Sequence, residues 1–337
     1  MRARVIAPCT ILVLGVLVFA LGVSLAQAAP SSLLLEVKIP LGNVAGRIDH
    51  LAIDSARLRL YVAELGNNSI GVVDLTTNRL IRTVGGFLEP QDVGYEPSTD
   101  TVYVTNGADG SVRVLRGDDL RPIGRIDLAG DADNLRIDTA HRRVVVGYGN
   151  GALGVIDPQS QKLVADIPLK AHPESFRLAG DDQLVYINIP DAHEIAVVDL
   201  RARRQVSSWR MGEFSSNYPM MLDGARHELW VAFRSPSKLV ALDLKTGVRI
   251  AALDSCSDAD DVFVDAKRDR IYVSCGAGFV DVWRRHGVSY VKLESVVTVV
   301  GARTSLFVPD LGRLYLAVRA TPTERAAIWV FRAAPEN

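Results

Sequence analysis

Short runs of apolar or alternating residues, four to six long, recur along the chain in groups of four. The clearest group occupies residues 46–86, with runs at 50–53, 58–63, 70–75 and 80–84. Asp, Gly, Asn or Thr bounds each run, so the pattern predicts four β-strands joined by tight turns. Because a single sheet of this size cannot bury both of its faces, the group needs neighbours of the same kind.

An aromatic or β-branched residue in the middle of the second strand marks each copy of the group. Spacings of 41 to 44 residues separate these markers, which are Tyr61, Tyr103, Val145, Tyr186, Trp230, Tyr272 and Tyr315. A period of this length, with four strands and no helical segment, is typical of a β-propeller. We therefore expect an all-β, seven-bladed β-propeller with four-stranded antiparallel blades.

The two ends of the repeat complement each other. Residues 33–41 form an apolar, strand-like run outside any complete group, whereas the last group ends after a third strand at residues 327–331. We expect the N-terminal strand to join the last blade as its fourth strand. This pairing would close the ring and remove two exposed sheet edges.

The first 28 residues stand outside the repeat. Arg2 and Arg4 precede an apolar stretch at residues 11–26, and an Ala-Gln-Ala sequence follows at the end of it. This arrangement predicts a signal peptide over residues 1–28, and the alternative is an uncleaved anchor. Either one places the remaining chain outside the cytoplasm, periplasmic or secreted. We expect residues 29–337 to form a single propeller domain with no further membrane span.

The charge of the chain favours no polyanionic partner. Its formal net charge of -1 becomes -3 when the signal peptide removes Arg2 and Arg4. A nearly neutral, slightly acidic domain has no net attraction for nucleic acid or anionic lipid. The partner that we expect is therefore a protein or a small-molecule ligand.

The second blade contains the sequence Tyr103-Val104-Thr105-Asn106, followed by a polar turn and a third strand. This pattern resembles the YVTN β-propeller repeat family, and the resemblance covers essentially the whole mature chain. It implies an exported, seven-bladed propeller of a surface or periplasmic type, and one relative is reported to bind DNA. The motif consists of strand and turn residues, so it specifies architecture and not activity.

Candidate chemistry lies where the first strand of each blade begins, because these strands line the central channel. In six of seven blades, the pair of residues eleven and twelve positions before the marker includes a charged group, against 23% charged residues in the chain. We therefore expect a polar, acidic channel mouth. The candidate ligand-binding residues are Asp49, His50, Asp92, Asp133, Asn134, His172, Glu174, Tyr218, Asp260, Asp261 and Arg303.

Oxygen-bearing side chains from separate blades are the ligands that Ca²⁺ or Mg²⁺ prefers, and His50 and His172 extend the choice to Mn²⁺ or Zn²⁺. We expect Asp133, Glu174 and Asp260 to form the densest acidic patch and to bind such a cation. The alternative is that these side chains satisfy backbone donors and hold neighbouring blades together.

Two cysteines remain after the signal peptide, which contains the third. Cys256 lies in the loop before the sixth blade, and Cys275 lies at the end of the second strand of that blade. In an oxidising compartment this placement favours a disulfide, and two free thiols are the alternative.

Three functions fit these features. The first is a non-catalytic, exported binding or scaffold protein that uses its acidic top face for a small ligand, an ion or a protein partner. The second is a metal-dependent hydrolase or lyase similar to the gluconolactonases, in which the cation at the channel mouth polarises a carbonyl or activates water. The third, an accessory role in periplasmic quinone-dependent oxidation, rests on family analogy. We favour the first, because the chain contains no P-loop, GxSxG, HExxH or CxxCH motif.

Overall fold

The computed structural model describes residues 31–180 and 183–335. These ranges contain seven four-stranded antiparallel sheets, which confirms the predicted seven-bladed propeller. The first four blades are β2 Leu51–Asp54, β3 Arg59–Glu64, β4 Ser69–Asp74 and β5 Arg79–Gly85; β6 Pro90–Glu96, β7 Thr101–Asn106, β8 Ser111–Arg116 and β9 Pro122–Asp127; β10 Ala132–Asp138, β11 Arg143–Tyr148, β12 Ala152–Asp157 and β13 Lys162–Pro168; β14 Phe176–Ala179, β15 Leu184–Ile189, β16 Glu194–Asp199 and β17 Arg204–Arg210.

The remaining three blades follow the same strand order. They are β18 Ser215–Asp223, β19 Glu228–Ser235, β20 Ser237–Asp243 and β21 Arg249–Asp254; β22 Ala259–Asp265, β23 Arg270–Cys275, β24 Phe279–His286 and β25 Ser289–Val297; β26 Ser305–Val308, β27 Arg313–Val318, β28 Ala327–Ala333 and, from the chain start, β1 Leu33–Pro40. The first strands of successive blades contact each other around the ring, and β26 contacts β2. They therefore surround the central channel.

The marker residues explain why the blades pack together. All seven are buried, with exposed fractions between 0% and 4%. Each marker belongs to a hydrophobic cluster shared with the following blade: Tyr61, for example, packs with Val93 and Val102, and Tyr315 packs with Leu60. A bulky side chain in the middle of the second strand thus fills the space between two sheets.

Strand β1 closes the ring as predicted. It pairs antiparallel with β28 from Leu33 opposite Ala333 to Pro40 opposite Ala327. The register shifts by one residue at Glu36, and the outer strand of each of the other six blades carries the same shift against its third strand. Strand β1 is therefore an outer strand like the others, supplied from the opposite end of the chain.

The described ranges contain no helix with the length and apolar character that crossing a membrane requires. The predicted signal peptide lies outside the described residues. The cysteine pair is described: the Sγ atoms of Cys256 and Cys275 are 1.95 Å apart in a disulfide that links the loop before β22 to the end of β23.

Candidate functional site

The candidate residues lie around the start of the first strands, in two layers set by the two-residue period of a β-strand. Three of the residues eleven positions before the markers, His50, Asp92 and Asp261, line a cavity in the channel. Residues twelve positions before the markers, such as Asp133 and Glu174, lie one step nearer the mouth.

Three side chains from two blades meet at the mouth, and we call Asp133, His172 and Glu174 the mouth cluster. One ligand atom from each lies within 4.8 Å of the other two. Asp133 is the second residue of the inner strand of the third blade, and the other two belong to the loop that leads into the fourth. The cluster therefore forms only when two blades pack side by side.

The hydrogen bond made by His172 fixes the direction of its ring. Its Nδ1 donates to the carbonyl oxygen of Gly149 over 2.6 Å, which leaves Nε2 facing Asp133 at 3.6 Å and Asp131 at 4.0 Å. Although burial alone would lower the pKa of His172, Asp133 and the Gly149 carbonyl raise it to about 9. Anchoring one ring nitrogen on a backbone carbonyl is the arrangement that orients the other nitrogen in metal-binding histidines.

The carboxyl group of Glu174 is the least satisfied member of the mouth cluster. No side chain or backbone group in the described ranges donates a hydrogen bond to it. Burial, reinforced by the negative charges of Asp133 and Asp260, raises its pKa to about 7. The positive charges of His172 and Arg234 oppose this rise only in part.

The sequence predicts that Asp260 is a metal ligand, whereas in the structure its carboxylate pairs with arginines. Its carboxylate pairs with Arg234 and forms a second ion pair with the Nε of Arg303 at 2.9 Å. Arg303 further contacts Asp258 at 2.8 Å, so two arginines neutralise this side of the mouth. The densest set of metal-type ligands therefore contains His172 in place of Asp260, and the mouth is acidic on one side only.

The other predicted residues at the mouth have structural partners. Asp49 is 1% exposed and contacts Arg47 at 2.6 Å, and burial raises its pKa to about 7. The ring of Tyr218 lies 4.0 Å from the guanidinium carbon of Arg234. Each contact lies within one blade or its entry loop, so these side chains have local structural partners.

The inner layer holds charges that the sequence argument missed. Arg136 and Arg177 line the cavity together with the predicted residues. The Nη1 of Arg136 donates to Asp92 at 2.8 Å, and its Nη2 donates to the amide oxygen of Asn134 at 3.1 Å. Arg136 lies two residues after Asn134, and Arg177 lies two residues after Ser175, which is eleven positions before its marker Tyr186; the strand period directs each pair to one face. That alternation was the signal available in the sequence.

His50 and Asp261 carry perturbed pKa values inside this layer. Although burial alone would lower it, the pKa of His50 rises to about 9 beside Asp92, Asp49 and Asp261. Burial raises the pKa of Asp261 to about 6, and that carboxylate accepts the backbone N–H of Ser305 at 2.7 Å. The channel below the mouth is thus a polar layer held together by opposite charges.

Comparison with known proteins supports the fold. No protein-family model matches the chain, so the YVTN resemblance remains an expectation, and no curated protein matches it either. One similar solved structure is the Kuenenia stuttgartiensis hydrazine synthase, with 16% identity and a TM-score of 0.76; the match covers 94% of this chain and 100% of that one. Another is the mitotic checkpoint complex, with 12% identity and a TM-score of 0.77; the match covers 96% of this chain and 100% of that one. At these identities the likeness shows a shared β-propeller fold and nothing further.

Proposed function

We propose that this protein is a binding propeller that holds a divalent cation in the mouth cluster. The observation that carries the proposal is the convergence of Asp133, His172 and Glu174 within 4.8 Å. Bonds of about 2.0 to 2.2 Å from one ion to three such ligands would need only a small closure of this triangle. The cation would displace the proton of His172 and pair with both carboxylates.

The ligand types favour Zn²⁺ or Mn²⁺ over Ca²⁺. One imidazole nitrogen and two carboxylates suit the first two ions, whereas Ca²⁺ takes six to eight oxygen ligands. Three protein ligands would leave coordination positions open toward the channel. A cation held in this way could bind a small anionic ligand or a carboxylate from a protein partner.

Metal content after equilibration tests the proposal. The purified protein is incubated with Zn²⁺ or Mn²⁺, dialysed and measured by inductively coupled plasma mass spectrometry. We expect about one equivalent of metal in the wild type, bound by three protein ligands as in catalytic zinc sites. Asp133→Asn and Glu174→Gln keep the shape of each side chain and remove its charge, so both should lose the metal.

Two matched variants serve as controls. Asp127→Asn removes an exposed carboxylate that pairs with Arg125, and Asp260→Asn removes one that pairs with arginines at the mouth. Both should retain the metal of the wild type. Metal retention in Asp133→Asn, or metal-free wild type, would refute the proposed site.

Metal-assisted hydrolysis is a second candidate, favoured by one observation. Burial raises the pKa of Asp49 to about 7, and its charge interacts with those of Asp133 and Asp260, so a buried carboxyl with the pKa of a general base lies near the mouth cluster. Hydrolysis of a γ-lactone by the zinc-loaded protein, abolished in Asp49→Asn without loss of metal, would support this activity. Equal rates in wild type and variant would exclude it.

We also propose that the protein is exported. The basic and apolar start of the chain and the cysteine pair support this placement, because disulfides persist in oxidising compartments. Fractionation of cells that produce the tagged full chain tests it. A tagged protein found in the cytoplasmic fraction with two free thiols would contradict it.

A further inference from the structure

The channel below the mouth cluster contains a cavity that the proposed metal site does not use. Its volume is 380 Å³, within the range of small-molecule sites, and residues of all seven inner strands line it. It is therefore a single chamber on the propeller axis, distinct from the three ligands at the mouth.

One end of this chamber is charged, and Arg177 is its least compensated group. The Nη1 of Arg177 donates to the Oγ of Ser175 at 3.2 Å and to the carbonyl oxygen of Phe176 at 2.9 Å, and its Nε contacts the sulfur of Met221 at 3.4 Å. Within the described ranges, no carboxylate lies within 4.0 Å of its guanidinium. A guanidinium enclosed in a protein without a carboxylate partner is rare.

The nearby carboxylates already have other partners. Asp92 accepts the backbone N–H groups of Val93 and Leu135, each at 2.8 Å, in addition to Arg136. Asp261 accepts the N–H of Ser305. With His50 protonated, the ionisable groups that line the chamber are three cations and two carboxylates, so one negative charge would balance them.

The rest of the chamber wall is apolar. Ile53, Ile137, Phe263 and Phe307 come from four different blades and present aliphatic and aromatic surface to the cavity. Apolar walls with a few converging polar groups are the usual composition of a small-molecule site. A ligand that matches both ends needs an anionic group and an apolar body.

We infer that this chamber binds a small carboxylic acid with an apolar body, whose carboxylate pairs with Arg177. Within the described ranges the Nη2 of Arg177 donates no hydrogen bond, so it can donate to a ligand carboxylate, and the charge of the guanidinium strengthens that bond. The apolar body would lie against the Ile53 and Phe263 side of the chamber. This inference goes beyond the cation at the mouth and does not depend on it.

Calorimetric titration with 2-naphthoate tests the inference, in EDTA so that the mouth cluster carries no metal. We expect one binding site, with affinity at least tenfold weaker for the neutral analogue 2-naphthamide and for acetate, which lacks the apolar body. Equal affinity for naphthoate and naphthamide, equal affinity for naphthoate and acetate, or no binding of naphthoate would each overturn the inference.

Variants locate the site. Arg177→Met should weaken naphthoate binding at least tenfold, and Arg201→Met, which alters an exposed hairpin arginine, should leave it unchanged. Ala52→Leu fills the chamber from another blade without removing charge, so it should weaken binding even if Arg177→Met does not fold. Unchanged affinity in Ala52→Leu or in folded Arg177→Met would place the ligand elsewhere and refute the assignment.

Discussion

The closure of the ring by β1 leads to a quantitative prediction about two positions on one strand. Ile39 is completely buried and belongs to the cluster between the last and first blades, whereas Leu35 is 45% exposed. Both residues pair with β28, so substituting either by alanine leaves the hydrogen-bonded ladder in place. The comparison therefore isolates the contribution of side-chain burial at the closure.

The expected magnitudes follow from the atoms removed. Ile39→Ala deletes three buried carbon atoms, worth about 0.8 kcal/mol each, and leaves a cavity, so the free energy of unfolding should fall by about 2 to 5 kcal/mol. Leu35→Ala removes atoms that are half in water, and surface changes of this kind stay within about 0.5 kcal/mol. Ile39→Ala should thus shift the denaturation midpoint, and Leu35→Ala should barely do so.

Urea denaturation followed by tryptophan fluorescence measures both variants. Trp329 reports on the closure directly, because it lies opposite Lys38 in the β1–β28 register. The denaturant slope should stay the same in the two variants, since each alters a single side chain. Equal losses of stability in Ile39→Ala and Leu35→Ala would refute the burial of β1 against the first blade.

Three further predictions concern stability. The folded-state pKa values of Asp49 and His50 are about 7 and about 9, both above the ordinary values of these groups, so each group binds more protons in the folded state. The stability that this proton binding contributes is lost as the pH rises from 5 to 9. The urea midpoint of the metal-free protein should therefore fall over that range. A rising midpoint would contradict this. Cys256→Ser removes the disulfide, whose cysteines are 19 residues apart, and should lower the free energy of unfolding by about 3 kcal/mol. A reducing agent should lower the stability of the wild type and leave that of the variant unchanged. Arg270 donates to the carbonyl oxygens of Ser32 and Ala334, so Arg270→Met should cost about 2 kcal/mol and speed carboxypeptidase digestion; unchanged digestion would argue against this anchor.

The sequence determined the repeat, the blade number and the closure, because these depend on periodic features that each blade carries locally. A marker such as Tyr103 needs a neighbouring blade to bury it. The strand-like run at residues 33–41 belongs to no complete group of four strands, so it needs the edge of another sheet to pair with. Both requirements can be read from residue types and spacing alone. The same reasoning located the first strands, and with them Asp133 and Glu174.

The tertiary structure decided which charges meet. Asp133 and Asp260 occupy equivalent positions in their blades, yet one faces His172 and the other is neutralised by Arg234 and Arg303. Equivalent positions in a repeat acquire different neighbours because the loops that lead into the following blades carry different side chains, His172 in one and Arg303 in the other. Pairing across the channel depends on distances between residues far apart in the chain, and only the closed ring fixes those distances.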